Sequence, residues 1–107
     1  MRSLFIAAAL SFSSTALADG ATDFKTYCST CHGDTGKGDG VASAALNPKP
    51  ANFADAAFWA TRDDAQVTKV IKEGGPSVGK SPLMAPFPQL SDEQVTAIVA
   101  HIKTLSQ

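Results

Sequence analysis

The run Cys28-Ser29-Thr30-Cys31-His32 constrains this chain more than any other stretch. If the run is helical, its two thiols, three residues apart, fall on one face about a turn from each other. Both can then reach one edge of a planar cofactor, and the imidazole that follows can reach a metal at its centre. The pattern reads as an attachment site for one c-type haem, bound covalently through Cys28 and Cys31 with His32 as the proximal iron ligand. Three other chemistries use a C-x-x-C pair. A redox dithiol expects a thioredoxin-like βαβ pattern, and no β-rich run accompanies this one. A structural zinc site needs about four ligands, whereas the chain holds two Cys and two His, with His101 the only distant candidate. A Cys28–Cys31 disulfide suits an oxidising compartment, but it gives His32 no part.

The N-terminus points to such a compartment. Met1-Arg2 is a short positive start, Leu4 to Leu10 is an unbroken apolar run, and Ala16-Leu17-Ala18 is a small-residue cleavage pattern, so residues 1–18 read as a cleaved secretory signal peptide. A membrane-spanning helix needs about 20 predominantly apolar residues, and Ser11, Ser13, Ser14 and Thr15 interrupt this stretch. An uncleaved anchor is the alternative, since apolarity resumes at Leu17. Haem is joined to such thiols outside the cytoplasm in bacteria, so signal and motif support each other and place the protein in the periplasm, with no stable membrane anchor after cleavage. Of the 107 residues, 89 remain as residues 19–107. That is enough for one domain with a modest core, to which a buried haem would add apolar interior.

Nine basic residues face ten acidic ones, and without Arg2 the balance is eight against ten, a formal −2. Nothing here suits nucleic acid. No basic stripe steers the protein onto an acidic partner or a membrane surface.

Along the mature chain the apolar positions Ala21, Phe24, Tyr27, Cys28 and Cys31 recur at helical spacing and predict a short amphipathic helix that delivers the thiols. Gly33, Gly36, Gly38 and Gly40 break it; no strand precedes them and no Gly-Lys-Ser/Thr ending follows, so they are not a phosphate loop. Val41 to Leu46 predicts a short helical turn, stopped by Asn47-Pro48-Lys49-Pro50. The next stretch reads as a loop in which Asn52, Phe53, Phe58 and Trp59 gather aromatic side chains suited to a wall against a flat cofactor. The Trp59 indole N–H needs an acceptor if buried, a haem propionate being one candidate. Thr61 is the expected N-cap of a middle helix with the stripe Val67, Val70 and Ile71, ended by Gly74-Gly75. Ser91-Asp92-Glu93-Gln94 is a capping box opening a last helix, whose stripe Val95, Ile98, Val99, Ile102 and Leu105 should pack on the first.

Between these two helices, Pro76 to Pro88 holds four of the six prolines and is stiff for that reason. It contains Met84, the only methionine left once Met1 departs. Met84 is therefore the candidate for the sixth iron position, against a plain gap-filling core methionine. His101 is the rival ligand, but it lies on a flank of the last helix, roughly 90° from the stripe's centre by helical geometry.

Taken together, the chain resembles a small bacterial class I c-type cytochrome over essentially all of its mature length. The matches are Cys28-Ser29-Thr30-Cys31-His32-Gly33, Gly36-Lys37-Gly38-Asp39-Gly40, Asn47-Pro48-Lys49-Pro50-Ala51-Asn52-Phe53, and Leu83-Met84 followed by Gln89-Leu90-Ser91-Asp92-Glu93-Gln94. The resemblance implies an all-α, cytochrome c-like bundle of short helices around one covalently bound haem, with His32 and Met84 as the axial metal ligands. It also implies that a proline carbonyl accepts the Nδ1 proton of the proximal histidine. Pro50 fits that place better than Pro48, because it leads into Ala51-Asn52-Phe53. One departure is His101, where many relatives carry tyrosine. Such proteins carry single electrons between redox protein partners, and Met ligation raises the reduction potential. The alternatives are a haem enzyme or gas sensor with an open sixth position, such as a small peroxidase, and a metal-binding module without haem.

Overall fold

The computed structural model describes residues 18–79 and 84–106, and among them it contains five α-helices, two short 3-10 turns and no strand. The proposed signal peptide up to Leu17 and residues 80–83 of the methionine loop lie outside the described residues. Asp19 opens the fold. Its carboxylate accepts the Thr22 backbone N–H at 3.1 Å and the Thr22 hydroxyl at 2.9 Å, which satisfies the first turn of helix α1 (Gly20–Tyr27). The stripe predicted one helix through Cys31. Instead the chain bends at Cys28 (φ −117°, ψ −27°) and resumes as α2 (Ser29–His32), so the first cysteine occupies the joint and the second lies on the following turn.

The turn expected in Val41 to Leu46 is a 3-10 turn at Ser43–Ala45. The stretch read as an aromatic loop contains a helix, α3 (Ala56–Thr61), capped by the Asp55 carboxylate, which accepts the Ala57 N–H at 2.9 Å. Thr61 is thus the last residue of α3 and does not cap the middle helix. That cap is Asp63, which forms a reciprocal box with Gln66 at 2.8 and 3.0 Å and starts α4 (Asp64–Glu73). Gly74, at φ +89°, ends α4, and a second 3-10 turn follows at Gly75–Val78. Ser91 and Gln94 close the expected box at the start of α5 (Asp92–Thr104).

The predicted packing of the first helix on the last is present, and Gly20 shows how close it is. A Cβ at Gly20 would collide with the Ala97 carbonyl, so the backbones touch where α1 crosses α5. Phe24 from α1 and Val95, Ile98 and Ile102 from α5 are at most 1% exposed. Phe53, Val67, Ile71, Leu90 and Val99 complete the core. Ion pairs Lys72–Asp92 and Lys103–Asp64 join α4 to α5 at the surface, where such pairs contribute about 1 kcal/mol at most. Among the described residues no helix is long and apolar enough to cross a membrane.

Candidate functional site

Between α1, α2, α4, α5 and the two long loops lies a cavity of about 640 Å³. Cys28, Cys31, His32 and Met84 all stand on its wall, with Pro48 and Pro50 beside them. Val67, Val70 and Ile71 of α4 and Phe24, Ile98 and Ile102 of the α1–α5 crossing make the rest largely hydrocarbon. Tyr27 and Phe87, edge to face at 6.2 Å, also line it, so the α1 aromatics serve both helix packing and the cavity. His101 is not on this wall; its ring lies against Phe24 at 5.4 Å. Cys28 and Cys31 are not joined to each other in a disulfide. Among the described residues no group of three or more His, Cys, Asp or Glu side chains gathers as a metal ion's ligand set, so the C-x-x-C pair has no zinc-site partners there.

His32 is held from two sides. Its Nδ1 lies 3.3 Å from the Ala51 carbonyl oxygen, which assigns the ring proton to Nδ1 as donor and leaves the Nε2 lone pair free. Its ring stacks on Phe53 at 4.7 Å and 25°. The expected partner was the Pro50 carbonyl, and here the structure corrects the sequence reading. The Pro50 carbonyl packs against Gly38, where a Cβ would come within 2.5 Å of its oxygen, and it is the next carbonyl along, that of Ala51, that the imidazole engages. Pro50 keeps a place on the cavity wall only. Burial pushes the His32 imidazole below its ordinary value of 6.5, against the opposing pull of the Ala51 hydrogen bond. The ring is therefore neutral at pH 7, as a metal ligand must be.

Burial, with smaller contributions from the Asp23 charge and from Cys31, pushes the Cys28 thiol up to about 11, so it stays protonated at neutral pH. The Trp59 indole is already satisfied by the Phe53 carbonyl at 2.9 Å and is not spare for a propionate. The charged side chains on the wall, among the described residues, are Lys49 and Arg62, and no carboxylate joins them. The Arg62 guanidinium also sits 5.8 Å from the centre of the Phe58 ring. Sequence reading singled out neither cation, because nothing in their local spacing shows that they face the same cavity.

A largely apolar cavity with two cysteines, a neutral imidazole and a methionine on its wall has the donor set a c-type haem needs. The family model for cytochrome c matches residues 17–106. This chain belongs to the cytochrome c family. No curated protein sequence gives a significant match. Among solved structures, the KustC0563 c-type cytochrome is similar at 29% identity with a TM-score of 0.68, over 83% of this chain and 99% of that one. A chain of the Kuenenia stuttgartiensis reducing HAO-like protein complex Kustc0457/Kustc0458 is similar at 30% identity and a TM-score of 0.63 over 80% of this chain. This chain spans 40% of that one. The all-helical fold and the small monohaem class I cytochrome pattern agree with these likenesses, and cytochrome c membership supports a haem-based electron carrier.

Proposed function

We propose that this chain is a periplasmic one-electron carrier. It holds a single haem by thioether links to Cys28 and Cys31, exchanges electrons with other redox proteins and catalyses no reaction of its own. The observation that carries the reading is that Cys28, Cys31, His32 and Met84, spread over 57 positions of the chain, line one apolar cavity. A haem bound there would supply a one-electron couple, with His32 and Met84 the residues that would hold its iron. The residues divide the remaining work. The two cysteines fix the group against loss, and His32 presents Nε2 because Ala51 engages Nδ1. Met84 offers its thioether, and Lys49 and Arg62 are available to the group's carboxylates. Hydrocarbon from α4 and α5 keeps water out.

Export is part of the proposal, with residues 1–18 as the signal peptide and residues 19–107 as the cytochrome domain. It is supported by Asp19 being the N-cap of α1, so that cleavage after Ala18 leaves the first helix with its cap. The likeness to a chain of a redox complex supports protein partners.

Carbon monoxide tests the assignment of the sixth position. The ferric protein should show the weak sulfur-to-iron charge-transfer band, and the ferrous protein should resist carbon monoxide. Met84→Ala should abolish the band, admit the gas and lower the reduction potential. A wild type that lacks the band, binds carbon monoxide rapidly and is unchanged by Met84→Ala would instead make this a haem enzyme or sensor with an open position.

A further inference from the structure

Proline content alone does not say where the methionine loop is anchored, but the hydrogen bonds do. Gly75 N–H donates to the Met84 carbonyl at 2.8 Å, and Phe87 N–H donates to the Ile71 carbonyl at 3.0 Å. Residues 84 to 87 are thus tied at one end to Gly75, at the corner just past α4, and at the other to Ile71 in the last turn of α4, the helix whose Val67, Val70 and Ile71 lie on the cavity wall. Gly74 sits at the centre of this junction. It is buried, its N–H closes α4 on the Val70 carbonyl at 2.8 Å, and its own carbonyl accepts the Ser77 hydroxyl at 2.7 Å. A Cβ there would lie 2.9 Å from the Met84 carbonyl oxygen and 3.1 Å from the nitrogen and Cδ of Pro86. Those are backbone and ring atoms that cannot swing aside like the end of a flexible side chain.

We propose that the Gly74-Gly75 corner of α4 is the positioning element for Met84, setting how deeply the thioether reaches into the cavity. The inference rests on the reading of Met84 as a haem ligand and names what holds it there. Ligating groups have to be kept within about 0.5 Å of their working geometry, and a Cβ at Gly74 has to push the Met84 backbone off α4 by a displacement of that order.

Gly79 provides the control. It also has positive φ, +74°, and lies in the same connection, yet among the described residues a Cβ there meets nothing within 4 Å. Both variants place a side chain at positive φ, with the greater strain at Gly74 (φ +89°, ψ +167°), a conformation open essentially to glycine alone, than at Gly79 (φ +74°, ψ +24°) in the left-handed helical region, and only the first presses on Met84. In the full haem-loaded protein, Gly74→Ala should lose most of the ferric charge-transfer band and bind carbon monoxide when reduced. Its ratio of Met-bound to Met-free forms should fall at least about tenfold, equivalent to about 1.4 kcal/mol. Gly79→Ala should lower the urea midpoint while keeping the band and the resistance to carbon monoxide. Equal spectra and equal gas binding in the two variants would overturn the inference with Met84 ligation intact, whereas a wild type without the band would overturn both.

A second measurement needs no glycine variant. Coupling between two sites is reciprocal, so Met84→Ala should speed amide hydrogen exchange at Gly75 and Phe87. Unchanged protection at both amides would also overturn the proposal.

Discussion

Phe53 does more to shape the site than any residue outside the attachment motif. It is 7% exposed, stacks on His32, meets Phe24 and Phe58 edge to face at 6.3 and 5.3 Å, and lends its carbonyl to Trp59. Phe53→Ala should cost about 3–5 kcal/mol, a large part of the roughly 5–15 kcal/mol that holds a domain together. Urea unfolding should show it, and Phe53→Leu should recover part of the loss by restoring volume. Asp19 carries a prediction in pH. Hydrogen bonds from Thr22 hold its carboxyl below the ordinary 3.8, so the folded state favours the ionised form. Its stabilisation is full above the unfolded-state value and is lost as pH falls through the lower folded-state value. The melting temperature of Asp19→Ala should therefore fall short of wild type at neutral pH, and the gap should close in acid; a gap that widens in acid would contradict the cap. Cys28, Cys31 and His32 could be singled out in the sequence because the proposed covalent attachment demands those side chains at that spacing, and the fold brings all three to one cavity wall. The Ala51 carbonyl could not be, since every residue carries a carbonyl and only the path of the backbone decides which one faces the imidazole. The same holds for the Phe53 carbonyl that takes the Trp59 proton.

Helices long enough to repeat their apolar stripe were readable, and the short ones were not. The stripe of α5 and its Ser91 box stand as expected, and Ser91→Ala should cost about 1 kcal/mol, seen as a lower urea midpoint. In Thr61-Arg62-Asp63-Asp64 two residues compete to cap α4, and Asp63 wins because Gln66 stands at its N3 position and returns the hydrogen bond. Thr61 has no such partner. Helix α3 spans six residues, too few for periodicity to separate it from a loop. Gly20 gave no signal by itself, because its role exists only once α5 lies across it. Gly20→Ala should separate α1 from α5 and cost about 1–3 kcal/mol by overpacking, measurable as a reduced urea midpoint. Unchanged stability would mean that the helices do not approach as closely as the Ala97 carbonyl contact requires.

For the molecule as a whole, the cavity is the dominant fact. A domain whose proposed extent, residues 19–107, is 89 residues and which surrounds a space of about 640 Å³ has given up interior that a domain of this size can scarcely spare. The fold class was legible from the sequence for the same reason: the attachment motif announced a group to be enclosed, and the helical stripes announced what would enclose it. The cavity's cations, Lys49 and Arg62, became visible only when the chain was folded and brought them from separate loops to one wall. It follows that Cys28→Ala combined with Cys31→Ala should yield little folded protein and no haem stain on denaturing gels. The most direct test of the central claim is the mass of the intact wild-type protein recovered from the periplasm and measured under denaturing conditions. The account predicts the chain beginning at Asp19 plus the mass of one haem, retained through acid. A chain whose mass contains no haem, or whose haem departs on denaturation, would contradict it.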